Sequence, residues 1–206
     1  MNKRLLGGIE SLGLDLQPQQ QEKLNELLEQ LLKWNQAFNL TAIKDEDEAV
    51  KLHLLDSLAI VPHWSFSRTL DVGTGAGFPG LPLAIALPDQ EFHLLDSNSK
   101  KIRFIRQQIH HLGLTNVTAH HSRVEQHQAD GYDCVVSRAF ASLSDMVNWT
   151  KHLLTPGCKW MAMKGVFDQS EVDAIPQQAV FEDVFELTIP RLDADRCLIK
   201  LGRTND

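Results

Sequence analysis

Three cysteines, Cys134, Cys158 and Cys197, stand far apart in 206 residues, and no CxxC pair occurs. An odd, scattered count excludes a disulfide framework and a structural zinc site. Each cysteine lies in an apolar, strand-like run and reads as a small buried hydrophobe. No apolar run approaches the roughly 18 residues of a membrane span, and no signal-peptide pattern opens the chain. A soluble protein in the reducing cytoplasm, with no membrane partner, is the expectation. Nine histidines are present, yet none are paired at the i, i+4 spacing of a helical metal site, so no metal is expected. The adjacent pairs His110-His111 and His120-His121 read as surface residues or as facing a binding partner.

Positive charge is also short. Lys+Arg is 20 against 27 for Asp+Glu, a formal net charge of −7. Taken as an average, that balance argues against a nucleic-acid partner, because such binding replaces counterions with Lys and Arg. The distribution reverses the inference. From Ser97 to Val124 there is no acid, while Lys100, Lys101, Arg103, Arg106 and Arg123 are all basic. The acids gather in the N-terminal helices and beyond residue 166. One basic face on an otherwise acidic molecule fits a specific phosphate surface.

The length suits one domain with a short extension. After Pro18, the residues Leu24, Leu27, Leu28, Leu31, Trp34 and Phe38 recur at helical spacing and predict a helix ending near Asn39. The acidic run Asp45–Glu48 predicts the start of a second, continuing through Val50, Leu54, Leu55 and Leu58 towards Pro62. Residues 1–65 therefore read as a helical extension packed on a core of residues 66–206. In that core, strands are expected at Thr69–Val72, Phe92–Asp96, Val117–His121, Tyr132–Ser137, Lys159–Lys164, Val180–Ile189 and Cys197–Leu201. Helices are expected at Pro79–Leu87, Lys100–Leu112, Leu143–Leu153 and Gln169–Ile175. Such alternation predicts an α/β, Rossmann-like fold with a mostly parallel seven-stranded sheet. Only a turn around Pro190–Asp195 separates the last two strands, which predicts a C-terminal antiparallel hairpin.

The segment from Thr69 to Gly80 runs a strand into Gly73, Gly75 and Gly77, and then into a helix. Two ligand classes fit it. Gly75, Gly77 and Gly80 form a literal GxGxxG, so a nicotinamide dinucleotide and an oxidoreductase remain an alternative. Asp71 with Gly73, Gly75 and Gly77 is similar to motif I of class I S-adenosylmethionine (AdoMet) methyltransferases. An acid at the strand end suits a ligand carrying an ammonium and a sulfonium, and repels a pyrophosphate. Asp96 ends the next strand, where a carboxylate accepts hydrogen bonds from ribose hydroxyls in either class. Val124 and Glu125 follow the third strand, in the loop that borders adenine in such sheets; a capping Glu in a solvated loop is the alternative. An AdoMet- and RNA-binding module without turnover is a further alternative.

Several segments together resemble one family. They are Trp34-Asn35 with Asn39-Leu40-Thr41, then His53 to Ser57, Asp71 to Gly80, and Leu95-Asp96-Ser97 with Lys100-Lys101. Ser122 to Glu125, Ser137 to Ala141 and Lys164-Gly165 complete the set. The chain is similar to the ribosomal RNA small subunit methyltransferase G family, also called glucose-inhibited division protein B, over roughly residues 30–165. The resemblance implies a class I methyltransferase fold. It implies AdoMet-dependent methylation of guanine N7 in 16S ribosomal RNA, with S-adenosylhomocysteine as product. It also implies that Gly73 and Phe78 line the cofactor site, that Val124 and Glu125 hold the adenine end, and that Arg138 lies beside the methyl donor.

The residues agree with that chemistry by omission. Guanine N7 carries an in-plane lone pair and needs no general base, so alignment and electrostatics suffice. The chain has no Asn/Asp-Pro-Pro-Tyr/Phe run for exocyclic amines and no Pro-Cys nucleophile for pyrimidine C5. Arg138 is the candidate catalytic residue, contacting guanine O6, the cofactor carboxylate or a phosphate; a local salt bridge is the alternative. Lys100, Lys101, Arg103, Arg106, Arg123 and Lys164 are the candidate RNA contacts, with a solvated helix face and, at Lys164, a solvated strand end as the alternatives. His53 and Asp56 face one side of the second helix and read as a hydrogen bond that packs the extension on the sheet. The expected partner is 16S ribosomal RNA, alone or within the 30S particle or an assembly intermediate, and the expected state is a monomer.

Overall fold

Cys134, Val135, Val136 and Ser137 are all buried, and a strand achieves this only when both faces of its sheet are covered. The computed structural model describes residues 1–129, 131–138, 140 and 142–204. Ala139 and Ala141, part of the Ser137 to Ala141 segment, lie outside the described residues. Helices α1 (Lys3–Ser11), α2 (Pro18–Phe38), α3 (Glu46–Ala49) and α4 (Asp56–Leu58) precede the sheet. There follow β1 (Arg68–Val72), α5 (Gly80–Ala86), β2 (Glu91–Asp96), α6 (Ser99–His111), β3 (Val117–His121), β4 (Tyr132–Ser137) and α7 (Leu143–Thr150). The chain closes with β5 (Leu154–Lys164), α8 (Gln169–Asp173), β6 (Ala179–Glu186) and β7 (Cys197–Arg203).

Among the described residues the strands form one seven-stranded sheet in the order β3-β2-β1-β4-β5-β7-β6. The first five strands are mutually parallel, and β7 runs antiparallel to both β5 and β6. The expected fold class and closing antiparallel hairpin are therefore present. The insertion of β7 between β5 and β6 has no signal in the sequence. Helices α5 and α6 cover one face through Leu81, Leu83, Ile85, Ile102, Phe104 and Ile105. Leu24, Leu27, Leu28 and Leu31 of α2 join that same apolar cluster, so the N-terminal helices and the sheet share a core. The opposite face packs Leu70, Val135, Trp160 and Leu201 against Leu143, Met146 and Val147 of α7.

Three local departures have physical causes. Helix α1 has no counterpart among the expected elements; Asn2 caps it by accepting from the Arg4 and Leu5 amides at 2.9 and 3.0 Å. The second expected helix is interrupted, because α3 passes into a π-helical stretch, Val50–Leu55, before α4. Strand β5 begins at Leu154 rather than Lys159, with a register shift opposite Tyr132 and Cys134. That irregular stretch leaves Cys158 partly exposed, against the expectation of burial, while Cys134 and Cys197 are buried. No helix among the described residues is long and apolar enough to cross a membrane.

Candidate active site

The glycine loop is anchored to β2 rather than left open. The Gly73 and Thr74 amides both donate to the Leu95 carbonyl, at 2.9 and 3.1 Å. The Gly75 amide donates to Asp96 Oδ2 at 2.9 Å, and the Asn98 amide donates to Asp96 Oδ1 at 2.7 Å. Asp96 thus fixes both the loop and the entry to α6. At Gly77 the backbone sits at φ +94°, and a Cβ there would lie 2.4 Å from Leu81 Cδ1. At Gly80 a Cβ would lie 2.7 Å from Leu94 Cγ and 2.8 Å from Asp71 Oδ2. The turn and the close helix-to-strand approach therefore both require glycine.

Asp71 sits beneath this loop, not on a cleft wall. Its Oδ2 accepts from Thr74 Oγ1 at 2.6 Å and from the Gly80 amide at 2.8 Å. Its Oδ1 is buried without a hydrogen-bond partner. Burial pushes its pKa up to about 6, against the opposing pull of Thr74, Gly80 and Arg138. The expectation that Asp71 faces the cations of a ligand is corrected by this geometry: it caps the start of α5. A carboxylate buried at that helix start opposes a pyrophosphate over the same loop.

A cleft of about 430 Å³ opens at the carboxyl ends of β1, β2 and β3. The expected residues Gly73, Asp96, Val124 and Glu125 line it. Phe140, Asp145 and Trp149 form a wall that the sequence does not reveal; a lone Trp on a helix carries no ligand signal. Asp96, Glu125 and Asp145 face one cation, Arg123, so the lining is acidic on balance. A cationic sulfonium fits such a lining and an anionic pyrophosphate does not. The carboxylate of Asp96, the apolar wall and the Val124–Glu125 backbone together suit the ribose and adenine of AdoMet. Gly75, Gly77 and Phe78 do not line this cleft. Phe78 is buried and stacks on His53 at 4.7 Å between ring centroids.

Arg138, just beyond β4, points into a second cavity of about 420 Å³ lined also by His53, Asp56, Lys164 and Arg196. Its Nη1 donates to the Leu52 carbonyl at 2.6 Å and to Asp56 Oδ2 at 3.0 Å. Its Nη2 lies 3.3 Å from His53 Nδ1. Asp56 also accepts from Arg196 Nε at 3.1 Å, so one buried carboxylate holds two guanidiniums. The expected hydrogen bond between helices at His53 and Asp56 is therefore an ion-pair link from α4 to β4 and to the start of β7. Burial, then Arg138, lowers the His53 pKa to about 4. The neutral ring accepts at Nδ1 and donates from Nε2 to Thr41 Oγ1 at 3.0 Å. Arg196 has no sequence signal, standing alone after an acidic turn.

Lys100, Arg103, Arg106 and Arg123 are exposed. Arg103 and Arg106 line a surface groove on α6 with His110 and His121. Lys101 lies beside the glycine loop, its Nζ 3.9 Å from where a Gly75 Cβ would stand. Arg123 faces the first cleft rather than the groove. Lys164 is not on this face; it pairs with Glu171 Oε2 at 3.0 Å on the wall of the second cavity. His120 is half-buried and stacks on His93 at 5.1 Å. No group of three or more His, Cys, Asp or Glu among the described residues is arranged to hold a metal ion.

The sheet order, the anchored glycine loop and the acid ending β2 define the class I AdoMet-dependent methyltransferase fold. A SAM dependent methyltransferase from Aquifex aeolicus shares it with a TM-score of 0.60 at 16% identity, over 76% of this chain and 93% of that one. The N-methyltransferase NodS from Bradyrhizobium japonicum, solved with S-adenosyl-L-homocysteine, gives 0.57 at 14% identity, over 88% and 98%. At the level of sequence, the family profile described as rRNA small subunit methyltransferase G matches residues 20–199. The ribosomal RNA small subunit methyltransferase G of Hydrogenovibrio crunogenus is 50% identical over 204 residues, 98% of this chain and 94% of its own length. That of Neisseria meningitidis serogroup A is 45% identical over 98% of each chain. The chain belongs to the rRNA small subunit methyltransferase G family.

Proposed function

We infer that this protein transfers a methyl group from AdoMet to N7 of a guanine in 16S ribosomal RNA, acting as a cytoplasmic monomer on naked RNA, the 30S particle or an assembly precursor. The observation that carries this reading is the acidic cleft over β1–β3, joined to family membership across the chain. AdoMet supplies an electrophilic methyl on a sulfonium. Asp96 accepts from the ribose hydroxyls, and the Val124 and Glu125 backbone reads the adenine edge. Gly73 lets the chain approach the ligand closely. The charge balance of Asp96, Glu125 and Asp145 against Arg123 favours the sulfonium over its neutral product, which aids release.

Guanine N7 attacks through its own lone pair, so no side chain removes a proton. The residue roles are then alignment and charge. Arg138, in the second cavity, is the group that meets guanine O6, the cofactor carboxylate or a phosphate, with its fork oriented by Asp56 and His53. Lys100, Lys101, Arg103, Arg106 and Arg123 steer the RNA, and Lys164 offers a phosphate contact beside Glu171. The target base reaches the cleft unstacked. Calorimetric titration with S-adenosylhomocysteine and with NAD tests the cofactor class. Saturable binding of the first alone supports the reading, and binding of NAD alone overturns it.

A further inference from the structure

Four ring side chains outside the site meet on the α7 face of the sheet. His93 of β2 places Nδ1 2.8 Å from His120 Nε2 of β3, and its Nε2 2.7 Å from Glu91 Oε1. The His120 ring stands 4.7 Å from that of His127. His127 Nε2 lies 2.9 Å from the Tyr132 hydroxyl, and both residues are buried. The chain between His120 and His127 carries Ser122, Arg123, Val124 and Glu125, all on the wall of the first cleft. Two rings of the stack therefore bracket the cleft-lining segment.

The hydrogen-bond roles in this stack limit how many protons it holds. Glu91 accepts, so His93 carries a proton on Nε2. In the neutral pair, His93 Nδ1 must then accept from His120 Nε2. One added proton on His93 Nδ1 moves His120 to its other tautomer and keeps the contact. A second, on His120, sets two N–H donors 2.8 Å apart with no acceptor between them. The nearby cations act in the same direction: Arg68 of β1 lies 5.1 Å from the Tyr132 ring centroid, and Arg106, on the α6 side of the sheet, reaches the edge strand by donating to the Ala119 carbonyl. Glu91 is the facing carboxylate, and Arg68 shares it through a 3.3 Å ion pair. His152 lies against the His127 carbonyl at 3.4 Å.

We propose that the His93–His120–His127 stack is a proton-sensitive latch on residues 122–126, closed when its rings are neutral and released when they take up more than one proton. Burial first, then the neighbouring histidines and Arg106, lowers the His120 pKa to about 4; burial lowers those of His93 and His127 as well. Opening returns the rings towards their ordinary value near 6.5. The open state then binds more protons, so the latch weakens as pH falls from about 6.5 towards 4 and is unaffected above that window. The latch itself stands apart from any ligand; its consequence for cofactor affinity rests on the methyltransferase reading.

Amide hydrogen exchange of the full chain at pH 7.5 and 5.5, corrected for intrinsic rates, tests the latch. The expected result is a loss of protection of about tenfold at residues 122–127 relative to β1 and β4 at the lower pH. His120→Phe, which keeps a ring but takes no proton, is expected to hold its protection at pH 5.5. His93→Gln provides a second variant that removes the paired ring. Wild-type protection that is unchanged at pH 5.5 overturns the proposal, as does an identical loss in wild type and in the folded variants. Calorimetry with S-adenosylhomocysteine at the same two pH values forms a separate arm. Affinity falling with protection extends the latch to the cofactor, and no binding at pH 7.5 counts against the cofactor reading while the exchange result still decides the latch.

Discussion

Arg138 and Asp56 form an ion pair at 3.0 Å across 82 positions of sequence, and Asp56 is almost fully buried. The same carboxylate takes Arg196, 140 positions away. One side chain in the N-terminal helices thus fixes the candidate catalytic arginine and the start of the last strand. Asp56→Ala leaves two guanidiniums without their buried partner and is expected to lower stability by about 3 kcal/mol. Urea denaturation measures it, and a loss within experimental error would show that the link is not structural.

Arg138 holds a carbonyl, a carboxylate and an imidazole at once, and Lys cannot reproduce that fork. Both Arg138→Ala and Arg138→Lys are expected to lower turnover by on the order of a hundredfold. If cofactor affinity and turnover are unchanged in both, the catalytic assignment is wrong.

Gly80 leaves no room for a Cβ between Leu94 and Asp71. Gly80→Ala is expected to cost about 1–3 kcal/mol and to weaken S-adenosylhomocysteine binding by shifting the loop. Thermal unfolding with and without that ligand separates the two effects.

Asp71 is ionised at neutral pH only at a cost, because burial raises its pKa to about 6. Its contribution to stability is full below the unfolded value of 3.8 and is lost as pH rises through about 6. Asp71→Asn stays neutral throughout. Without ligand, the variant is expected to gain on wild type between pH 4 and 7, by up to about 3 kcal/mol. Parallel stability curves over that range would contradict the account.

Arg103 and Arg106 face a groove on α6, away from the cofactor cleft. Reversing both to Glu is expected to weaken RNA binding and to reduce the slope of log affinity against log salt by about 0.9 for each phosphate no longer neutralised. AdoMet affinity is expected to hold. Loss of AdoMet affinity alone would remove the groove from the RNA surface.

The strands from β1 to β4 are legible because parallel strands buried on both faces read as apolar runs between glycines and helix starts. β3 and β4 match their expected bounds residue for residue. Asp96 is legible from its spacing after the glycine loop, Gly73 from the loop itself, and Val124 and Glu125 from their place after the third strand. Asp71 is misplaced by sequence alone, which locates the strand end but not which way the carboxylate turns. The Arg138–Asp56–Arg196 link is hidden, since long-range ion pairs leave no periodicity. The histidine stack is hidden for the same reason: His120 shares its face of β3 with exposed Thr118 and is only half-buried, and only the partner strand supplies His93.

Methyl transfer to guanine N7 leaves a base that specific chemistry can cleave. Incubation of the full chain with tritiated AdoMet and 16S RNA or 30S particles, followed by chemical cleavage at N7-methylguanine, tests it most directly. One labelled guanine, cleaved by the N7-specific chemistry, is the result predicted. Label at an exocyclic amine or a pyrimidine, or none on any of these substrates despite AdoMet binding, would contradict it.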